Sequence, residues 1–315
     1  MIEKQIIKDN LKNTLDDIDF PRLGKKYKGK VRDNYISDDG IRTIIATDRL
    51  SAFDRVLATI PFKGQLLTQM SCFWFEKTKN IWPNHIIEVP DPNVVKVKNC
   101  KTFPIEMIVR SYITGSAWRE YLAGNDVSGI KFPKGLKKNQ KIETVITPTT
   151  KAAVGEHDMN ISREEIIKQG LVSEEQYLKL EEATLKIFNF GQEYCAKNGL
   201  ILVDCKFEFG YDSDNNIILI DEIFTPDASR FWILDTYNKK FKAGEEPDIL
   251  DKEFFRGWLI SKGYQGDGKP PEITDEVKIE LAQRYIQSYE TITGQSFKPA
   301  IGVNIVERIK RNLRL

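Results

Sequence analysis

The sequence predicts an α+β fold in which the β-strands are arranged as antiparallel hairpins. The first third of the chain consists of short apolar runs separated by turn residues, a pattern typical of hairpins. The remainder contains long amphipathic patterns with helix start and stop signals. With 315 residues, the chain is long enough for one large domain or two ordinary ones with an ample core.

The overall charge excludes several classes of partner. Lysine and arginine number 47 and aspartate and glutamate 46, which leaves a net charge of +1. No global field therefore favours nucleic acid or an anionic membrane. No apolar stretch approaches the roughly 18 residues that a spanning helix needs, and the polar N-terminus lacks the apolar segment of a signal peptide. We expect a cytoplasmic protein that binds neither nucleic acid nor membranes.

The rare residue types limit the chemistry further. The four cysteines show no paired spacing of the zinc or redox type, so we expect reduced, buried thiols. Two histidines are too few for a histidine-rich metal site. Carboxylates, lysines and arginines must carry any chemistry, and this composition suits phosphate and carboxylate substrates.

The N-terminal elements follow from turn signals and periodicity. Residues 31–36 and 41–46 flank the turn 37–40 and form a predicted hairpin. Further along, the patterns predict in order a helix over 64–79, extended chain over 83–92 and a strand over 104–112.

Three C-terminal helices are predicted from caps and amphipathic spacing. Ser173 opens a long helix with a capping-box sequence, and Asn198-Gly199 closes it. A second helix over 274–293 ends at Gly294, and residues 303–315 form a third.

The most informative segment is an acidic hairpin at 201–222. Side chains alternate along a strand, so Asp204, Lys206 and Glu208 share one face. A turn centred on Asp214-Asn215 would set Glu208 opposite Asp221. Two carboxylates about 5 Å apart repel unless a cation lies between them, and Mg²⁺ suits carboxylates completed by phosphate and water. The alternative is a solvated acidic strand face paired with Lys206.

A basic segment precedes the first predicted hairpin. Gly29 stands before a strand on which Lys30 and Arg32 would share a face. Glycine permits close backbone approach and the cations can meet phosphate oxygens, so the segment could cover a triphosphate. The alternative is a basic edge strand that discourages aggregation.

Several loops carry candidate binding groups. Asp48 and Ser51 follow a strand, where binding groups often lie, although either could instead cap a helix. Arg110 ends an apolar strand just before Gly115 and Ser116, which could donate to an anion or simply form a strand-to-helix turn.

Two later segments are also candidates. The 147–158 region contains His157, which taken alone is more often a structural histidine than a catalytic one. Arg230 follows the acidic hairpin directly and could reach a substrate anion beside the metal.

Taken together, these segments resemble the phosphoribosylaminoimidazole-succinocarboxamide synthase family, also called SAICAR synthetase, in its longer, fungal-type branch. The resemblance runs from Gly29 to about Trp232. The segments that carry it are 29–33, 46–54, 109–116, 202–210 and 221–230.

The resemblance implies a reaction. The family joins L-aspartate to carboxyaminoimidazole ribonucleotide (CAIR) with ATP, giving SAICAR, ADP and phosphate in purine biosynthesis. A carboxylate is a poor electrophile, and an acyl phosphate supplies a good leaving group for attack by the amine. The expected ligands are ATP, Mg²⁺, CAIR and L-aspartate.

The resemblance also implies site residues. Glu208 and Asp221 would hold Mg²⁺. The expected catalytic residues are Lys206, which would face the phosphates, and Asp48. The expected ATP contacts are Lys28, Gly29, Lys30 and Arg32 at the triphosphate and the backbone of Glu106, Met107 and Ile108 at the adenine edge. The expected substrate contacts are Arg110, Ser116 and Arg230 at the ribonucleotide, Asp48 and Ser51 beside the reacting carboxylate, and Lys151, His157 and Asp158 as further candidates.

The implied architecture has an antiparallel N-terminal β lobe, similar to the small lobe of protein kinases, over residues 1–112. An α+β lobe of ATP-grasp kind follows over 113–232, and a helical extension over 233–315 packs on the body. The nucleotide would lie between the lobes. A monomer is favoured over a homo-oligomer. The rival functions are a small-molecule kinase with an alcohol acceptor and a non-enzymatic nucleotide-sensing or RNA-binding module.

Overall fold

A computed structural model of the protein describes residues 2–53, 55–151, 158–250 and 253–315. It confirms the α+β class, with antiparallel sheets and several helices. The strands are β1 (Lys25–Lys28), β2 (Arg32–Ile36), β3 (Ile41–Ala46), β4 (Arg49–Ala52), β5 (Arg55–Thr59), β6 (Ile86–Asp91), β7 (Val94–Lys98), β8 (Lys101–Thr102), β9 (Ile105–Ile113), β10 (Gln140–Ile146), β11 (Thr149–Thr150), β12 (Leu200–Tyr211), β13 (Ile217–Ile220) and β14 (Ser229–Ile233).

Helices lie at the four predicted positions and at others that the sequence analysis did not predict. They are α1 (Lys4–Asp9), α2 (Lys63–Thr78), α3 (Gly115–Ala123), α4 (Arg163–Lys168), α5 (Glu174–Lys197), α6 (Leu234–Ala243), α7 (Glu253–Ser261), α8 (Asp275–Thr293) and α9 (Ile305–Leu313). The predicted capping box of α5 is present, because the side chains of Ser173 and Gln176 each accept from the other's backbone N–H. In the part of the chain described, no helix is both long and apolar enough to cross a membrane.

The chain divides into two compact units that are discontinuous in sequence. Unit 1 comprises Met1–Glu76, His85–Asn99 and Leu250–Leu315. Unit 2 comprises Lys77–Asn84 and Cys100–Ile249. The predicted divisions after residues 112 and 232 do not coincide with these boundaries. In particular, β9 belongs to unit 2, and the C-terminal helices share a unit with the N-terminal strands.

Unit 1 contains a five-stranded antiparallel sheet in the order β1-β2-β3-β7-β6 and the small hairpin β4-β5. Its core explains why the C-terminal residues belong here. Ile305 and Ile309 of α9 pack with Tyr35, Ile45 and Val94 of the sheet. Burying these apolar side chains stabilises the unit. Helix α9 is therefore part of the unit 1 core and not a separate extension.

Unit 2 is built around β12. This strand pairs with β9, β13, β8 and β14, while β9 also pairs with β10 and β11. Almost all of β12 is buried, and α5 packs against it. A strand with neighbours on both edges places its side chains at fixed positions on the two faces of the sheet.

The acidic hairpin forms, but its register differs from the prediction by one residue. Glu208 lies opposite Ile220, and the connecting loop has five residues between the paired Tyr211 and Ile217. The reason lies in the loop, where the Asp212 carboxylate accepts from the backbone N–H groups of Asp214 and Asn216. This loop is centred on Asp214, whereas the prediction centred the turn between Asp214 and Asn215.

Candidate functional site

One face of the unit 2 sheet carries a row of charged side chains. Asp204 lies directly opposite Arg110, and Lys206 lies opposite Ile108. Directly opposed residues in an antiparallel pair share a face, so Glu106 and Arg110 of β9 lie on the same face as Asp204, Lys206 and Glu208 of β12. We call this the charged face. It contains two groups of side chains.

The first group, the lysine–carboxylate cluster, consists of Lys151, Lys206, Glu106, Glu208 and Asp221. Lys206 Nζ donates to Glu106 Oε1 at 2.8 Å and to Glu208 Oε1, and it lies 4.0 Å from Asp221 Oδ2. Lys151 Nζ donates to the other oxygen of Glu208. Two ammonium groups therefore face three carboxylates, which gives the cluster an excess of negative charge when all three carboxylates are ionised.

Burial and charge shift the pKa values within this cluster in opposite directions. Burial alone would raise the pKa of Glu208, but the ammonium groups of Lys206 and Lys151 hold that pKa well below its usual range. Burial raises the pKa of Glu106 to about 7, against the effect of Lys206 and with help from the negative charge of Glu208. For Lys206, burial would lower the pKa, but the surrounding carboxylates outweigh it and raise the pKa above its ordinary value.

Asp221 reaches the cluster by a route that the sequence did not predict. In the observed register it falls one position beyond Ile220, the last residue of β13. A one-residue shift on a regular strand would turn its side chain to the other face. Asp221 instead has a left-handed backbone with φ of 66°, which ends the strand and lets its carboxylate approach Lys206. The prediction that Asp221 lies opposite Glu208 was wrong.

The second group, the arginine cluster, consists of Arg110, Arg230, Asp204, Ser116 and Thr147. Asp204 Oδ2 accepts from an NH1 group of each arginine, at 3.1 Å from Arg110 and 2.6 Å from Arg230. Arg110 also donates from Nε to Thr147 Oγ1 at 2.9 Å and from NH2 to Ser116 Oγ at 3.2 Å. Two guanidinium groups face one carboxylate, so this cluster has an excess of positive charge.

Gly115 makes room for one of these guanidinium groups. Its φ is +57°, which favours glycine, and a Cβ at this position would lie 2.7 Å from Arg230 NH2. Such a contact is too short for any real side chain. The glycine thus permits Arg230 to lie against the start of α3, where Ser116 also lies.

In unit 1, the glycine segment forms a turn rather than the start of a strand. Gly29 and Lys30 lie between β1 and β2, and only Arg32 belongs to β2, so the prediction that Lys30 and Arg32 share a strand face was wrong. The exposed Lys28 pairs with Asp17 at 2.8 Å. The turn is held by Arg49, which donates to the carbonyls of Gly29 and Lys30 at 2.9 Å each.

Asp48 is a buried structural carboxylate. It is 1% exposed, and its two oxygens accept from the backbone N–H groups of Leu15 and Gly64 at 2.8 Å each. Burial raises the pKa of Asp48 to about 6, although those two N–H groups oppose the shift. A catalytic group must touch the reacting atoms, so this placement argues against the predicted catalytic role. Ser51 lies half-buried on β4, opposite Val56.

The predicted adenine contacts lie within the sheet. Met107 and Ile108 pair with Phe207 and Lys206 of β12, and the Ile108 carbonyl accepts from the Thr147 N–H at 2.7 Å on the other side. The backbone of these residues therefore takes part in the sheet along both edges of β9. For Glu106, the side chain rather than the backbone enters the site, a role that the sequence analysis missed.

Two further candidates come from the 147–158 region. Asp158 is exposed, and its negative charge is near enough to Glu106 to help raise the pKa of that carboxyl. His157 lies outside the described residues. Within the described ranges, no group of three or more His, Cys, Asp or Glu side chains is arranged to hold a metal by itself. Mg²⁺, however, is commonly bound through one or two carboxylates together with substrate phosphates, so the oxygen donors of the lysine–carboxylate cluster fit that ion.

Known proteins are similar to this chain over most of its length. The chain is 50% identical over 283 residues to a phosphoribosylaminoimidazole-succinocarboxamide synthase of Legionella pneumophila (strain Paris), covering 87% of this chain and 89% of that protein. It is 47% identical over 305 residues to the synthase of Bacteroides thetaiotaomicron, covering 95% of this chain and 97% of that one.

Solved structures match as well. A SAICAR synthase from Saccharomyces cerevisiae complexed with SAICAR matches with a TM-score of 0.80 and 35% identity, covering 90% of this chain and 100% of that one. A SAICAR synthetase (Type-2) in complex with ADP matches with a TM-score of 0.67 and 28% identity, covering 87% and 100%.

The fold, together with these relatives, defines an enzyme of the ligase class. The family described as SAICAR synthetase matches residues 25–271, well over half of the chain. The chain belongs to the SAICAR synthetase family.

Proposed function

We propose that the charged face of unit 2 holds the reacting groups of an ATP-dependent ligase. The activity of the family is the joining of L-aspartate to CAIR, giving SAICAR, ADP and phosphate, and this chain is an enzyme of that kind. The observation that carries the residue assignment is the presence of two clusters of opposite net charge on one sheet face. One suits a cation and the phosphates it neutralises, and the other suits an anion.

The arginine cluster is the proposed site for the ribonucleotide. Arg110 and Arg230 present guanidinium donors, which match phosphate and carboxylate oxygens well. Ser116, beside Arg110, adds a hydroxyl near the N-terminus of α3, where backbone N–H groups favour negative charge. The complex of the yeast relative with SAICAR supports a ribonucleotide site in this fold.

The lysine–carboxylate cluster is the proposed site for Mg²⁺ and the phosphates of ATP. Glu208 and Asp221 would hold the ion, which would neutralise the charge that develops on the transferring phosphoryl group. Lys206 and Lys151, whose side chains are 30% and 37% exposed, are the proposed phosphate contacts. The complex of the Type-2 relative with ADP supports nucleotide binding.

The proposed chemistry has two steps. A carboxylate oxygen of CAIR attacks the γ-phosphorus of ATP, the bond to ADP breaks, and an acyl phosphate forms. The ammonium of aspartate releases a proton to solvent, and the neutral amine then attacks the acyl carbon. Inorganic phosphate leaves with the electron pair of the C–O bond, and the new amide nitrogen releases a second proton to solvent. The protein has to align the reactants and balance charge, and lysine, arginine and carboxylate side chains can do both.

The other predicted contacts remain separate proposals. Lys28, Lys30 and Arg32 remain the proposed triphosphate contacts, with the Gly29 turn held by Arg49. Ser51, Lys151 and Asp158 remain candidate substrate contacts. A cytoplasmic monomer also remains our proposal, which fractionation of cells and light scattering on the purified protein would check.

An assay of phosphate release with ATP, CAIR and aspartate tests the function. We expect phosphate release to require both co-substrates, and CAIR labelled with ¹⁸O in its carboxylate should transfer one label to the phosphate. Phosphate release without CAIR would contradict the ligase assignment. Unlabelled phosphate formed together with SAICAR would contradict the acyl phosphate intermediate but not the ligase assignment.

A further inference from the structure

Asp204 places a negative charge between the two arginines of the proposed anion-binding site, which is unexpected because a carboxylate repels an anion. It is 4% exposed and lies directly opposite an arginine in each of the two neighbouring strands, Arg110 on β9 and Arg230 on β14. One of its oxygens, Oδ2, accepts from both guanidinium groups. The three side chains therefore form a row across three strands.

This row depends on an irregularity in the sheet. The β12–β14 pairing shifts between Leu202 and Asp204, where one extra residue, Val203, enters β12. In an uninterrupted register, Arg230 would lie opposite Val203. A bulge changes which residues share a face, and this one brings Arg230 onto the face that carries Asp204 and Arg110.

We propose that Asp204 is a positioning residue that holds Arg110 and Arg230 side by side, so that together they bind one anionic group of the ribonucleotide. The inference rests on the proposed function, because it takes those arginines as the ribonucleotide contacts. Two guanidinium groups repel each other, and Arg110 is buried at 4% exposure. A shared carboxylate offsets the repulsion and fixes both groups through charge-assisted hydrogen bonds.

A role through charge alone and a positioning role predict opposite effects of removing Asp204 on substrate binding. If Asp204 acted only through its charge, removing it would increase the positive charge of the site and tighten the binding of the anionic substrate. If Asp204 positions the arginines, removing it lets them separate and weakens that binding. The direction of the change therefore separates the two roles.

The test compares Asp204→Ala and the shape-conserving Asp204→Asn with the wild-type enzyme. We expect the KM for CAIR to rise about 30-fold in the alanine variant and less in the asparagine variant, in line with the loss of charged hydrogen bonds. The KM for ATP should change less than about threefold, because the lysine–carboxylate cluster keeps its own contacts. An unchanged or lower KM for CAIR in a folded variant overturns the proposal.

A double-mutant cycle with Arg230→Ala separates this inference from the proposed function. Because Asp204 is inferred to act through Arg230, its removal should cost less when Arg230 is already absent, whereas a purely structural role predicts equal costs. If Arg230→Ala leaves the KM for CAIR unchanged, the ribonucleotide assignment fails. If Arg230→Ala raises it and Asp204→Ala does not, only the positioning role fails.

Asp91→Asn in unit 1 is the matched control. Asp91 is also a buried carboxylate that accepts from an arginine, with Arg308 donating at 3.0 and 3.2 Å. We expect this control to lower the thermal stability without a selective change in the KM for CAIR. A CAIR-selective change of the same size in Asp91→Asn would show that any buried aspartate–arginine pair gives the effect, and it would overturn the inference.

Discussion

The two clusters on the charged face share a sheet but differ in the sign of their net charge and in the type of cation they contain. The lysine–carboxylate cluster surrounds buried carboxylates with lysines that keep about a third of their side-chain surface exposed. The arginine cluster surrounds a buried carboxylate with one buried and one partly exposed arginine. An ammonium on a flexible stem can follow a phosphate as it moves, whereas a planar guanidinium held on a strand recognises a fixed anion.

On this basis we propose a division of labour. The reacting phosphate changes partners during the proposed reaction, and it is assigned to the cluster with adjustable cations. The ribonucleotide stays bound throughout, and it is assigned to the cluster with fixed donors. Variants in the two clusters should therefore affect different kinetic constants.

The largest effect should come from the carboxylates of the first cluster. Glu208→Gln or Asp221→Asn should lower kcat by about a thousandfold, because each removes a proposed metal ligand and its charge. Steady-state kinetics with saturating substrates measures this change. Glu182→Gln, on the exposed face of α5, is the control and should retain full activity. Wild-type turnover in both site variants would remove them from the metal site.

The next largest effect should come from a substitution in the arginine cluster. Arg230→Ala should raise the KM for CAIR about a hundredfold and the KM for ATP less than threefold, because a charged contact to one substrate is lost. Arg284→Lys, in an exposed ion pair on α8, provides a comparison without a site role. Equal changes in both KM values would remove the proposed distinction between the clusters.

A smaller change should follow from crowding Arg230 rather than deleting it. In Gly115→Ala, the new Cβ would meet the guanidinium, and the left-handed backbone would be strained by about 1 kcal/mol. We expect about a tenfold rise in the KM for CAIR together with a modest fall in Tm. Gly124→Ala, at the other end of α3, has a similar φ of +78° but open space around it, so it should lower Tm without changing KM. The same KM shift in both variants would argue against crowding.

The last effect concerns stability rather than kinetics, and it is the pH dependence of stability at Glu106. Burial raises its pKa in the folded state to about 7, from an ordinary value near 4.5. A raised pKa means that the folded protein binds the proton more tightly. The resulting stabilisation is fully present below the ordinary value and is lost as the pH rises through about 7. Relative to Glu106→Gln, the wild-type free energy of unfolding should therefore fall between pH 5 and pH 8. Denaturant titrations at these pH values measure the difference, and parallel profiles would contradict the shift.

Local structure was largely predictable from the sequence, and long-range pairing was not. The capping box at Ser173, the glycine that ends α8 and the hairpin at 32–46 were predicted because their signals lie within a few residues. The register of the acidic hairpin was missed because Asp212 organises a five-residue loop, and turn composition alone did not reveal this.

The candidate site shows the same limit. Lys206 and Glu208 were recognised from alternation on one strand, but the partners that β9 supplies are about a hundred residues away. Glu106 and Arg110 show matching alternation, which was a signal, yet only the pairing of β9 with β12 reveals what each one faces. The Val203 bulge and the packing of α9 in unit 1 likewise depend on tertiary contacts.

A crystal structure of the enzyme with ADP, Mg²⁺ and CAIR tests the central claim most directly. The account predicts the ion bound to Glu208 and Asp221, and an anionic group of CAIR held between Arg110 and Arg230. An ion bound by other residues, with CAIR bound away from both arginines, would contradict it.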